Sequence, residues 1–275
     1  MIDLVRAELR KATTTRLAWT MPLAMFVLGV AFTAISGYFL VFAEIPGMDV
    51  RMSETMSDLT LARAVYTGAV QMAYLLALVL GILTITGEFR HQTLTSTFLA
   101  EPRRGRVVVA KIVAVVVVVL GNGLAHVAGS LIGGASVLAV GDVGVFPEPV
   151  DLSWTLLRML LVLVLWGLIG LGLGVLIPNQ VAALFVGVSV AFIVEPLLSF
   201  GIASFDQVAE AARYLPSQAT LAALSVYEGM DAGTTQDLGG PPDPLSWWGG
   251  SLVLLAYAAL MTAVGWVLTR RRDVS

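Results

Sequence analysis

The sequence predicts an all-α polytopic membrane protein. It has six transmembrane helices, both termini cytoplasmic, an N-terminal interfacial amphipathic helix, and a short cytoplasmic helix between the second and third spans. Three observations carry this. Hydrophobic residues fill 57% of the 275 positions and charged residues only 13%, against about 25% charged in a soluble domain. The apolar residues fall into six runs, each close to or above the roughly 20 residues a helix needs to cross a bilayer. Cations gather between alternate runs, and acids fill the gaps on the other side.

The whole chain, 1–275, reads as one transmembrane domain. Residues 1–18 form a cytoplasmic interface helix, 87–106 a cytoplasmic loop, and 201–246 an extracellular loop with short helices. In the opening segment, "MIDLVRAELRKATTTR", Ile2, Val5, Leu9 and Ala12 share one helical face. Asp3, Arg6, Arg10 and Lys11 fall largely elsewhere, the pattern of a helix lying on the cytoplasmic leaflet. A frayed basic tail is the plainer alternative.

The spans are expected at Thr20–Phe42, Ala64–Thr86, Val107–Val140, Leu152–Ile177, Val181–Phe200 and Trp247–Thr269. The apolar run from Leu17 to Phe42 exceeds the roughly 7–15 residues of a signal-peptide core, so it reads as a signal anchor rather than a cleaved leader. The third span is long enough to tilt or to project from the bilayer. "PNQ" (Pro178–Gln180) makes a tight hairpin between spans four and five. In the outer segment, Phe205, Val208, Ala212 and Leu215 have helical spacing, broken at Pro216; two short interfacial helices are expected there. The "DAGTTQDLGGPPDP" stretch after them reads as a flexible turn-rich loop.

Orientation follows from the cations. Arg6, Arg10, Lys11 and Arg16 precede span one. Arg90, Arg103, Arg104, Arg106 and Lys111 lie between spans two and three, and Arg270, Arg271 and Arg272 follow span six. An even number of spans puts these twelve of the 16 Lys and Arg on one side. Trp247 and Trp248 stand at the outer end of the last span, where interfacial aromatics belong.

Several chemistries are excluded or weakened. The net charge of −3 gives no basic surplus for nucleic acid, and with no cysteine there is neither a disulfide nor a thiolate metal site. The two lysines, Lys11 and Lys111, follow Arg10 and Ala110, so no Gly-Lys-Ser/Thr phosphate loop exists. The chain is expected not to be an enzyme. Ser189 and His126 could serve an intramembrane hydrolase, but no Gly-x-Ser-x-Gly or His-Glu-x-x-His motif accompanies them.

Small residues recur every fourth position at Gly121, Ala125, Gly129 and Gly133, and again at Gly170 and Gly174. Such stripes let helices approach closely, within one subunit or across a dimer seam. Beside the first stripe runs a polar one, Asn122, His126 and Ser130. At about 1.5 Å per residue, His126, Arg158 and Glu195 fall at a similar depth in the outer third of the membrane. One reading pairs Arg158 with Glu195, His126 close by. The other lets Arg158 snorkel to the outer headgroups while Glu195 caps a helix end near Pro196.

The most distinctive stretch is "GEFRHQTLTSTFLAEPRRGRVVVAK", Gly87 to Lys111. From Arg90 to Ala100, His91, Leu94 and Phe98 follow helical spacing and Pro102 stops the helix. Topology explains the arginines. It does not explain the narrow apolar edge at Leu94 and Phe98, which suits a groove on a cytoplasmic partner.

Gly87, Glu88, Arg90, Thr93, Leu94, Pro102, Arg106 and Lys111 together resemble the loop between spans two and three in type-2 ABC exporter permeases. The opening "RAELRKATTTR" is similar to the N-terminal interface helix of that family, and "VEPLLSF…RYLPSQA" to its end of span five and outer helices. The resemblance covers nearly the whole chain. It implies the membrane subunit of an ATP-driven exporter, paired with a second permease subunit in a homodimer or related heterodimer and served by two copies of a separate ABC ATPase. ATP and magnesium would sit on that ATPase, with no cofactor on this chain. The implied coupling residues are Glu88, Arg90, Thr93, Leu94, Phe98, Pro102 and Arg106, with Arg90–Ala100 as the coupling helix. The implied cargo is amphiphilic or apolar: a drug, antimicrobial peptide or lipid-like molecule. The implied location is the cell membrane. The alternative is a scaffold or sensor that binds a cytoplasmic protein without transporting anything. The family usually has glycine where this chain has Gln92, so the turn there is expected to be more helical than usual.

Overall fold

The computed structural model describes residues 1–44, 50–93, 101, 103–203, 209–230, 232–237 and 239–271. Among them there is no β-strand, only an isolated bridge between Glu44 and Arg51. The helices are α1 (Ile2–Thr13), α2 (Leu17–Phe42), α3 (Met52–Thr55), α4 (Asp58–Thr67), α5 (Val70–Arg90), α6 (Arg104–Val140), α7 (Pro149–Leu176), α8 (Gln180–Ser189), α9 (Glu195–Ala203), α10 (Pro216–Ala223), α11 (Ala232–Asp237) and α12 (Trp247–Arg271). Among the described residues, six helical stretches are long and apolar enough to cross a membrane. They match the six expected runs.

Local chemistry sets the boundaries. Helix α1 ends in three threonines whose hydroxyls turn back on it: Thr13 donates to the Leu9 carbonyl at 3.0 Å and Thr14 to that of Arg10 at 2.8 Å. Such back-bonding competes with the helical ladder. Helix α4 starts where the Ser57 side chain accepts from the Thr60 N–H, an N-cap. It therefore begins earlier than the expected span at Ala64, and it breaks at Gly68–Ala69 before α5 continues. A Cβ at Gly68 would run into the Ser36 hydroxyl, so the missing side chain lets α2 approach.

The glycine stripes are used within the chain. Gly129 and Gly133 rest on the Phe26 and Val30 carbonyls of α2, and Gly170 rests on the Leu78 carbonyl of α5. Gly174 faces Ile82 and Ile85. Gly121 meets nothing within 4 Å and lies on the exposed face of α6. Where α5 crosses α7, Tyr74 stacks on Trp166 with ring centroids 4.2 Å apart, inside the larger core cluster.

The fifth span departs from a plain helix. A π turn at Val190–Val194 joins α8 to α9. Its buried positions are Ala183, Gly187, Ala191 and Glu195, a narrow stripe of small residues ending in a carboxylate.

Over the far end lie a 3₁₀ turn at Ala209–Tyr214 and helix α10. Pro216 starts α10 at its first turn, where a missing N–H costs nothing. Phe205 and Val208, expected in the first of the two outer helices, lie outside the described residues. Helix α11 corrects the reading of the following stretch as a turn-rich loop alone: Thr235 is buried, and Gly240 closes back onto the Thr235 carbonyl at 2.8 Å.

Candidate functional site

The chain's two lysines come together where α1 meets the end of α5 and the start of α6. Lys11 donates to Glu8 Oε1 and to Glu88 Oε1, each at 2.7 Å. Lys111 donates to Glu8 Oε2 at 2.9 Å and lies 2.6 Å from Glu88 Oε1. Three elements meet here: α1 supplies Glu8 and Lys11, the end of α5 supplies Glu88, and the start of α6 supplies Lys111. The two lysines and two carboxylates sum to zero charge.

Three of the four side chains are withdrawn from solvent: Lys111 is 4% exposed, Glu8 7% and Glu88 8%, with Lys11 forming the lid at 46%. Burial pushes the Glu8 carboxyl up, but the Lys111 charge and the hydrogen bonds from Lys11 and Lys111 outweigh it and hold Glu8 below its ordinary value. For Lys11, burial acts downward and the hydrogen bonds and charges of Glu8 and Glu88 win, leaving it raised. Glu88 Oε2 is buried without a partner. The price of desolvating such a set is recovered only while every member is present, and removing one typically costs about 3–5 kcal/mol.

This changes the reading of α1. Its buried residue is Glu8, flanked by partly buried Leu4, Val5, Leu9 and Ala12, whereas Ile2 is 69% exposed. The face turned to the bundle is rotated from the purely apolar one that spacing suggested. It carries an acid at its centre because two ammonium groups wait for it.

The cluster closes the base of the Gly87–Lys111 loop. Beyond it, Arg90 donates to Gln180 at 3.3 Å and so ties α5 to the Pro178–Gln180 hairpin. Thr93, within that loop, is exposed and is the last residue described before position 101. Leu94, Phe98 and Pro102 lie outside the described residues. On the return side Glu101 accepts from the Arg103 N–H at 3.1 Å and faces Arg106 at 3.7 Å, which sets the start of α6. Gln92 has φ +54°. The expectation of a more helical turn is overturned: the residue leaves the helix in the left-handed conformation that glycine adopts most easily at this position.

The four polar residues of the spans do not form one cluster. His126 Nδ1 faces the Met25 carbonyl at 3.4 Å, and Asn122 Nδ2 donates to the Val118 carbonyl at 2.8 Å. His126 Nε2 and Asn122 Oδ1 are buried without partners. Ser130, the third member of that stripe, donates to the Tyr66 carbonyl and receives from Thr33 at 3.3 Å. Arg158 donates to Ser225 Oγ at 2.6 Å and stacks 4.5 Å above the Trp247 ring. Glu195 accepts from the Ser217 N–H at the first turn of α10. The Arg158–Glu195 pairing is therefore corrected: equal depth fixes a level in the membrane but not a direction around it. Arg158 reaches toward the far end, and Glu195 caps a helix, that of Pro216 rather than one near Pro196.

Among the described residues no group of His, Asp and Glu is arranged to hold a metal ion. No protein-family model matches the chain, and no curated protein matches it.

Proposed function

We propose that this chain is the membrane subunit of a type-2 ABC exporter in the cell membrane, its termini cytoplasmic. It would form half of a twelve-span core with a second, identical or related, permease subunit. Two copies of a separate ATPase chain, carrying ATP and magnesium, would dock on the loop between spans two and three. The observation that supports this reading best is the closed base of that loop. Glu88 and Lys111 lie at its two ends, and Glu8 and Lys11 join both to α1. A push on the loop is then carried into α1, α5 and α6 together, as a rigid-body transition needs.

A flexible loop hung between two spans would absorb the same push. The packed spans hold few charges, which suits amphiphilic or apolar cargo: a drug, an antimicrobial peptide or a lipid-like molecule. The same loop on a scaffold or sensor subunit would bind a partner without driving transport, so ATPase activity is the discriminating readout.

The test purifies the full chain from its native membrane in mild detergent, with Phe98→Asp alongside. Phe98 is preferred to Glu88, whose replacement would disturb the buried cluster itself. An ATP-hydrolysing chain is expected to copurify with the natural sequence and to fall severalfold with Phe98→Asp at unchanged thermal stability. Recovery of no ATPase, or of equal ATPase with both proteins, rejects the exporter reading.

A further inference from the structure

Arg158 is a partly buried cation in a membrane-spanning helix, and no carboxylate lies within 4.0 Å of it among the described residues. It stands nine residues into α7, roughly 14 Å from the helix start. A guanidinium carries five N–H donors. Arg158 spends one on Ser225 Oγ and lays its face on Trp247. Two other arginines of the outer segments are served differently: Arg63 faces Glu228 at 3.3 Å, and Arg213 faces Asp243 at 2.9 Å. Glu228 and Asp151 act on Arg158 only through space, and Glu228 is already engaged by Arg63.

A groove of about 370 Å³ opens on this guanidinium, walled by Trp154, Leu157, Leu161 and Trp247. Trp154, Leu157 and Leu161 follow helical spacing along the outward face of α7 and are 55%, 54% and 39% exposed. Trp247 begins α12, so the groove spans two helices. One end is thus a cation with unspent donors, its face on Trp247 and with Trp154 on the same wall of the groove. The other is an aliphatic track running toward the middle of the bundle. In a bilayer, an arginine at this level needs an anion or water, and its planar fork matches the oxygens of a phosphate.

We infer that this groove binds one phospholipid, with its phosphate on Arg158 beside Trp154 and Trp247 and an acyl chain along Leu157 and Leu161. The occupant is a phosphate-bearing lipid rather than a neutral one, because the free donors of Arg158 are the one charged feature of the wall. The inference stands apart from the exporter reading and survives that reading's failure.

Native mass spectrometry of the full chain in detergent tests it, using dioleoylphosphatidylglycerol, dioleoylglycerol without a phosphate, and glycerol 3-phosphate without chains. One phosphatidylglycerol per chain should be retained, and neither of the other probes should match it. Arg158→Gln should lower retention about tenfold, the loss of a charge-assisted contact, and Arg158→Lys should fall between. Leu161→Trp fills the track from its lipid side with Arg158 intact and should lower retention equally, which keeps the test open if the arginine variant fails to fold. Equal retention of dioleoylglycerol, equal binding of glycerol 3-phosphate, or undiminished retention in Arg158→Gln or in Leu161→Trp overturns the inference.

Discussion

Lys111 and Glu88 meet at 2.6 Å across the two ends of one loop, with Glu8 and Lys11 of α1 completing the contact. The pair is buried, so its members are worth more together than apart. Glu88→Gln leaves two ammonium groups facing the single carboxylate of Glu8, and a loss of about 3–5 kcal/mol is expected. Adding Lys111→Met removes the excess charge and leaves Glu8 paired with Lys11 at 2.7 Å. The double variant should then melt closer to the natural protein than Glu88→Gln does. Thermal unfolding in detergent reads this directly, and losses that simply add would show that the cluster is not a coupled unit.

The same cluster predicts a pH window for the docking of α1. Glu8 is held below its ordinary value of 4.5, so its contribution is complete above that value and disappears as pH falls through the lowered one. Lys11 is held above its ordinary value of 10.5, so its contribution is complete below that and is lost as pH rises through the raised one. Docking should be flat from about 4.5 to 10.5 and should loosen on both sides. The chain has no cysteine, so Arg6→Cys offers a unique site for a spin label on the exposed side of α1. Label mobility should stay constant across the plateau, and Glu8→Gln should alter the acid limb. A mobility step near neutral pH would contradict the assignment.

The spans were legible because lipid leaves the backbone no alternative to a helix, and a helix that crosses must be long and apolar. The glycine stripes were legible too, since close approach has one cheap chemical solution. Azimuth was not. Depth arithmetic put Arg158 and Glu195 on one level, and they bond to different outer elements, Ser225 and Ser217. Glu8 was missed because an acid on the face of an amphipathic helix looks like a flaw until its partners are known. The signal was present: the only two lysines stand at the ends of segments that topology brings to the same membrane face. The helix α11 was hidden by a sequence of turn formers, where burial of Thr235 overrides propensity.

Gln92 offers a prediction independent of the cluster. It sits just past the end of α5 with φ +54°, and its N–H reaches back to the Phe89 carbonyl at 3.3 Å. A side chain there costs about 1–2 kcal/mol relative to glycine. The exposed Gln92 side chain offsets none of that by burial. Gln92→Gly should therefore raise stability by about 1 kcal/mol, tempered by glycine's freedom in the unfolded chain. A melting curve of the purified variant checks the sign. A clear drop would mean that the turn is held by the glutamine side chain rather than tolerated despite it.

The crossing of α5 and α7 supplies the converse case, a glycine that admits no side chain. A Cβ at Gly81 would run into the Gly167 carbonyl and lie 2.7 Å from the Leu171 nitrogen, both backbone atoms that cannot rotate away. Gly81→Ala must therefore push α5 and α7 apart and unseat the Tyr74–Trp166 stack beside the crossing. Overpacking of this kind costs about 1–3 kcal/mol. Gly121→Ala is the matched control, since nothing lies within 4 Å of its Cβ position and α6 is exposed there. It should be neutral or slightly stabilising through helix propensity. Side-by-side melts of the two variants separate the effects. A Gly121→Ala loss as large as that of Gly81→Ala would reveal a partner seated on the open face of α6, and the stripe would then serve a second chain as well as its own.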